Sequence, residues 1–228
     1  MNKIEKNDIR LLSHMIYTIY STEDLRQMRL EFLKLLKYII PFDTANFFLV
    51  NSDPDCNYTL TDPVNVNSLK NPDVAGVLKE YMEHCFEIDS THWLCNTKKS
   101  IAYRSTDFLS EASLENTQYY REMFLPFDLH FGAQAVLAHN DDCVGLLTLF
   151  RSKESPNFTD TEIFYLDNLK DHLSKRLYEA KSQSSTAEPA GFDAAFYMNL
   201  YNPVSYTHLD VYKRQKQLRI SCSNRISP

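Results

Sequence analysis

Residues 131–151, FGAQAVLAHNDDCVGLLTLFR, decide the fold. Two β-rich segments, 131–139 and 143–151, flank the polar trio Asn140, Asp141 and Asp142, a pattern that predicts a hairpin. In the second segment both alternating faces read as apolar: Val144, Leu146 and Phe150 on one, Leu147 and Leu149 on the other. A strand apolar on both sides needs cover on both sides, so helices or loops are expected across the sheet. A long helix should follow Pro156. Thr159 and Glu162 have capping-box spacing, and Phe158 with Ile163 stand where a hydrophobic staple forms. Leu166, Leu169, Leu173 and Leu177 then recur at helical spacing as one stripe.

Upstream, residues 7–20 read as a short helix carrying Ile9, Leu12, Ile16 and Ile19. A second helix begins near Thr22, with Leu25, Met28, Phe32, Leu36 and Ile39 in one stripe, and Pro41 ends it. Residues 44–50 form a buried strand, and Asp53-Pro54-Asp55 turns the chain. Residues 58–66 are a weaker strand whose Pro63 places it at a sheet edge. Residues 74–88 are helical by pattern, with Val77, Leu78, Tyr81, Cys85 and Ile88 facing inward. A short strand within 100–108 follows, then a helix from Ser113 that ends before Pro126.

The bulk properties narrow the function. The 228 residues hold 14 Tyr and 14 Phe, ample for a core and for an aromatic-lined cavity. With four glycines and no phosphate-cradling run, nucleotide-binding loops are excluded. A net charge of −6 weighs against intrinsic nucleic-acid binding. No apolar run reaches the roughly 20 residues of a membrane span, and the polar start does not read as a signal peptide. The five cysteines are unevenly spaced, which fits a reduced, cytoplasmic setting better than a disulfide framework.

Three segments are expected: a module over 1–182, a polar linker over 183–203, and a tail over 204–228. The tail carries +4 against −10 for the rest of the chain. Its run SYTHLDVYKRQ, residues 205–215, resembles a recurrent non-native end of sequences translated from environmental DNA, so the tail is set aside. On that reading the natural protein continues beyond residue 203.

The element order, and above all CVGLLTLFR (143–151) followed by FTDTE (158–162), resembles a GAF domain over residues 8–182. It is similar to the N-terminal sensor half of bacterial regulators that end in a LuxR-type helix-turn-helix. The resemblance implies an α+β fold, a central antiparallel sheet of five to six strands with helices on both faces. It also implies a small-molecule effector held between one sheet face and the cover of residues 71–128. Trp93, Tyr103, Phe108, Tyr119, Tyr120 and Phe124 would line that space. Arg104 and Arg121 would meet an anionic group, and Gln134 and Thr148 would orient the guest. The alternative is a filled core with surface arginines. The resemblance further implies a homodimer through the first and terminal helices, with DNA bound only by a module absent from this chain; the alternative for the leucine stripe is packing on the domain's own sheet, since one apolar stripe serves one core well.

No cofactor and no metal site are expected. His84, Cys85, His92 and Cys95 lack the paired spacing of zinc sites, and on a helix His84 and Cys85 diverge by about 100°. Two other functions compete with the sensor. One is a thiol redox enzyme, similar to GAF-fold reductases of free methionine sulfoxide, that would use Cys85 and Cys95. The glycine-rich surroundings of that family's cysteines are missing here, and Glu83 and Glu87 disfavour a thiolate. The other is a ligand-free dimerisation scaffold.

Overall fold

The computed structural model describes residues 6–52, 58–67 and 80–186. The chain divides into units Met1–Ser184 and Ser185–Pro228. The linker and tail expected over 183–203 and 204–228 lie outside the described residues from 187 onward, as do residues 74–79 of the helix expected over 74–88; the described remainder of that helix is two short turns, Tyr81–Cys85 and Phe86–Ile88.

Five antiparallel strands form one sheet in the order β2-β1-β5-β4-β3: β1 (Thr44–Ser52), β2 (Tyr58–Asn67), β3 (Ile101–Arg104), β4 (Phe131–His139) and β5 (Asp142–Arg151). The fold is therefore α+β, as expected. The β4–β5 hairpin closes through Asn140 and Asp141, both at positive φ (49° and 59°), the turn hand that matches strand twist. Strand β2 sits at the sheet edge, where Pro63 costs no ladder hydrogen bond.

Helices α1 (Lys6–Ser21), α2 (Leu25–Leu36) and α4 (Asp160–Thr186) pack on one face. The stripe Leu166, Leu169, Leu173 and Leu177 is buried against the domain's own sheet, with Ala45, Phe47, Ala133, Ala135, Leu147 and Leu149 below it. Each such side chain contributes about 1.5–3 kcal/mol by leaving water. The helix start reads as expected. The Thr159 N–H donates to Glu162 at 2.7 Å, and the Glu162 N–H donates to Thr159 Oγ1 at 3.3 Å. Buried Arg151 holds the loop before α4, donating to the carbonyls of Pro41, Pro156 and Asn157 and pairing with Glu162.

Two bulges change the expected alternation. In β2, Asp62 and Pro63 together oppose Phe48, and Asp62 takes a φ of 45°. Arg29, at 0% exposure, reaches from α2 to bond the carbonyls of Phe47 and Asp62 and to pair with the Asp62 carboxylate. In β5, an extra residue between Cys143 and Gly145 puts Val144 into the helix-side core beside Leu147 and Leu149. The sequence pattern had grouped Val144 with Leu146 and Phe150, which instead face the other way. Gly145 also faces α4: a Cβ there would lie 2.7 Å from Leu177 Cδ1 and 3.2 Å from the Phe48 carbonyl, so any larger residue would force Leu177 to shift.

The other face is covered by short, irregular turns. A π turn (Tyr81–Cys85), 3-10 turns (Phe86–Ile88, His92–Thr97 and Ser105–Asp107), the short α3 (Glu111–Glu115), a second π turn (Tyr120–Phe124) and a last 3-10 turn (Leu125–Phe127) follow one another. The helix expected from Ser113 begins at Ser110, whose side chain accepts from the Ser113 N–H, and breaks after Glu115. The helical path resumes, runs through Pro126 and stops at Asp128 in the left-handed conformation. Proline at the start of a 3-10 turn needs no N–H partner, so it did not terminate the segment.

Candidate ligand site on the covered face

Strand register aligns one polar residue from each strand on the covered face. Asn65, Asn46, Thr148, Gln134 and Tyr103 are consecutive cross-strand partners, a polar row that crosses the whole sheet. Hydrogen bonds knit it together. Asn65 Nδ2 donates to Asn46 Oδ1 at 2.7 Å, Asn46 Nδ2 to Thr148 Oγ1 at 3.4 Å, and the Tyr103 hydroxyl to Gln134 Oε1 at 2.7 Å. The β2 bulge makes the row possible, because it shifts Asn65 onto this face while Val64 and Val66 join the helix-side core.

The row separates two apolar clusters. One gathers Phe48, Val50, Tyr58, Leu60, Leu94, Cys95, Val136, Cys143 and Leu146; the other gathers Cys85, Leu114, Tyr120, Met123, Phe124 and Phe150. Above the row stands a second polar group centred on buried Asp89. Its carboxylate accepts from the Thr91 N–H and hydroxyl, both at 2.8 Å, and from the Tyr81 hydroxyl at 2.9 Å. The two π turns bring Tyr81 and Tyr119 edge to face, with ring centroids 6.3 Å apart. Burial, reinforced by the Asp89 charge, pushes the phenols of Tyr58, Tyr81, Tyr103 and Tyr119 above the ordinary tyrosine value. The arrangement offers aromatic walls, neutral hydrogen-bonding groups and one carboxylate.

The structure brings together part of the expected site. Tyr103, Tyr119, Gln134 and Thr148 meet at the polar row or directly above it, and Tyr120 and Phe124 belong to the neighbouring apolar cluster. Phe108 stacks edge-on against Tyr103 with centroids 5.1 Å apart, yet stays 44% exposed. Trp93 is 49% exposed and turns back, its indole N–H donating to the Ser90 carbonyl at 3.0 Å. Neither arginine points at this space. Arg104 lies on the opposite side of β3, donating to the Phe158 carbonyl and pairing with Asp107 and Asp160. Exposed Arg121 donates to the Asn116 carbonyl at 2.9 Å. Strand alternation decides the first case: Tyr103 takes the covered face, so Arg104 cannot.

Asn46, Asn65 and Asp89 escaped the sequence reading, and Tyr81 entered it only as an inward-facing helix position. Asp89-Ser90-Thr91 is a turn signal, because an aspartate oxygen that accepts from the N–H two residues on mimics a backbone turn. Such a signal would mark a loop without showing that the carboxylate points inward.

Among the described residues, the metal-capable grouping is Glu111, Glu115 and His130, whose ligand atoms lie within 4.8 Å of one another. His130 Nε2 is 2.8 Å from Glu111, its Nδ1 is 2.5 Å from the Tyr120 hydroxyl, and Lys153 neutralises Glu115. Every member has a protein partner, so the trio reads as a hydrogen-bonded network joining α3 to the residue just before β4. Cys85 and Cys95 fall in different clusters.

No protein-family model matches the sequence, and no curated protein matches it either. Solved structures do match in shape. The GAF domain of a phosphoenolpyruvate-protein phosphotransferase from Acinetobacter superposes with a TM-score of 0.53 at 14% identity, covering 81% of this chain and 99% of that one. The corresponding GAF domain from Coxiella burnetii gives 0.51 at 14% identity over 78% and 96%. The VqsR LBD domain from Pseudomonas aeruginosa gives 0.53 at 17% identity over 77% and 98%. The chain has the GAF fold.

Proposed function

We propose that this domain is the small-molecule-sensing half of a cytoplasmic bacterial transcription regulator, non-catalytic itself, with a DNA-binding module following residue 203. The observation that carries the sensing part is the polar row of five side chains beneath an aromatic cover. A sheet face that served only as core would hold hydrocarbon there, since a buried polar group gains little net stability even when satisfied. The shape shared with the VqsR LBD domain supports the regulatory part at the level of fold. Among the described residues, no helix is long and apolar enough to cross a membrane.

The site chemistry favours a planar, uncharged guest with a hydrogen-bonding edge. Gln134, Thr148 and Tyr103 read the edge, and Tyr81, Tyr119 and Phe124 form the walls. Arg104 and Arg121, engaged elsewhere, take no part. A thermal-shift screen of the full chain against nucleosides, nucleobases and neutral amides tests this. A ligand at a hundredfold excess over its Kd stabilises the folded state by about 2.7 kcal/mol. The sensing assignment falls if no such compound shifts Tm, and the regulator assignment falls if the genomic sequence beyond codon 203 encodes no helix-turn-helix.

Pairing is assigned to the outer faces of α1 and α4, because the leucine stripe is consumed by the domain's own core. Ile9, Tyr17 and Tyr20 on α1 and Phe164 on α4 are exposed. Beside them a cleft of about 430 Å³ is lined by Tyr20, Ala138, His139, Asp171, His172, Ser174 and Lys175. Light scattering should show a dimer that Tyr17→Glu converts to monomer; a wild-type monomer at working concentration removes the assignment.

A further inference from the structure

Cys95 and Cys143 belong to different layers. Cys95 sits in the 3-10 turn His92–Thr97 of the cover, and Cys143 sits on central strand β5. Both are buried, at 5% and 1% exposure, inside the same apolar cluster. The chain between Cys95 and β3 is fastened above Cys143. Ser100 Oγ donates to the Ala138 carbonyl at 2.8 Å and accepts from the Ala138 N–H at 2.9 Å, and Ala138 is the register partner of Cys143. The two thiols are in hydrogen-bonding contact. The Cys95 S–H donates toward Cys143, which raises Cys95 above the ordinary thiol range and holds Cys143 below it. The Cys143 thiol in turn points to the Gly145 carbonyl at 3.9 Å. The cover's sulfur and the strand's sulfur thus lie side by side within one apolar cluster. Cys85 lies in the other cluster, next to Glu122.

We propose that Cys95 and Cys143 form a peroxide-oxidisable dithiol whose disulfide fastens the cover to the sheet. In the first step the Cys143 sulfur attacks one oxygen of hydrogen peroxide. A sulfur–oxygen bond forms, the oxygen–oxygen bond breaks, and the departing hydroxide takes the thiol proton and leaves as water. In the second step the Cys95 sulfur displaces the hydroxyl from the Cys143 sulfenic acid. The S–S bond forms, the S–O bond breaks, and the hydroxyl leaves as a second water carrying the Cys95 proton. The pair loses two electrons and the peroxide gains them. The product joins two layers that otherwise meet only through side-chain packing and hydrogen bonds, so it restricts how far the cover can lift from the polar row.

Peptide mapping of the reduced full chain after hydrogen peroxide treatment, with alkylation under denaturing conditions, tests the pairing. The expected result is a linked peptide containing Cys95 and Cys143, removed by dithiothreitol, with alkylatable thiols falling from five to three. In Cys95→Ser the reaction should stop at a Cys143 sulfenic acid that dimedone captures. Disulfides among other cysteines with Cys95 and Cys143 still alkylated, or over-oxidation of either without a linked peptide, overturns the proposal. The wild-type mapping decides the matter even if the variant does not fold.

Discussion

On the face under α1, α2 and α4, the central strands point Ala45, Phe47, Ala133, Ala135, Leu147 and Leu149 into one uninterrupted hydrocarbon core. On the opposite face the same strands alternate to Asn46, Gln134 and Thr148, which split the hydrocarbon into two patches. The first face is closed by three regular helices and the second by a chain of short turns. The difference separates two tasks. Hydrocarbon against helices supplies stability with little demand on precise geometry. A satisfied polar row contributes less stability but fixes which groups the covering turns must match.

The largest expected contrast is alkaline. The phenols of Tyr58, Tyr81, Tyr103 and Tyr119 are held above their ordinary value in the folded state. Their contribution is whole below the ordinary tyrosine pKa and falls as pH rises past it toward the folded values. Each such group then costs about 1.4 kcal/mol per pH unit. Absorbance titration should show them ionising together, in a step that coincides with loss of tertiary circular dichroism. Independent ionisation near the ordinary value would mean the cover is open. On the helix side, Phe47→Ala should cost about 3–5 kcal/mol in urea unfolding, since Phe47 is fully buried and packs edge-on against Phe32. Asp62→Ala should cost about 2 kcal/mol, because it leaves the buried Arg29 guanidinium without its counter-charge; Asp62 keeps water access, which holds the loss below that of a fully buried pair. Arg29→Met should cost less than Asp62→Ala, since it removes the buried charge itself. Thr159→Ala should lose about 1 kcal/mol by opening the capping box. Gln134→Leu should also cost on the order of 1 kcal/mol, because it leaves the buried Tyr103 hydroxyl without its acceptor. That variant should also abolish any ligand-induced Tm shift, and a retained shift would move the site away from the polar row.

The sequence made the helix side of the molecule readable. Hairpin, capping box, edge proline and leucine stripe are local patterns, and each survives in the structure because packing agrees with it. The cover was harder. Ser110 to Phe127 follows no single helical period: Thr117 restarts the helical path, its Oγ1 accepting from the Tyr120 N–H at 3.0 Å, and Tyr120 and Phe124 then pack into the covered-face cluster. The polar row was half visible. Gln134 and Thr148 stand out in apolar strands, but Asn46 and Asn65 look like ordinary solvent-facing alternation until register places them beside Thr148. Asn65 in particular depends on a bulge, and a one-residue slip reverses the face of every residue beyond it. Arg104 and Arg121 were drawn to the site by charge alone, whereas strand phase and local carbonyls decide where they point.

Gly145 gives the terminal helix something rarer than a packing partner. With only a hydrogen on Gly145, Leu177 of α4 and Leu137 of β4 close over the strand at one point, within reach of the Phe48 carbonyl. A side chain at 145 would therefore be felt first by these two leucines, so the sheet and the terminal helix sense a change in each other's position through a shared hydrocarbon contact.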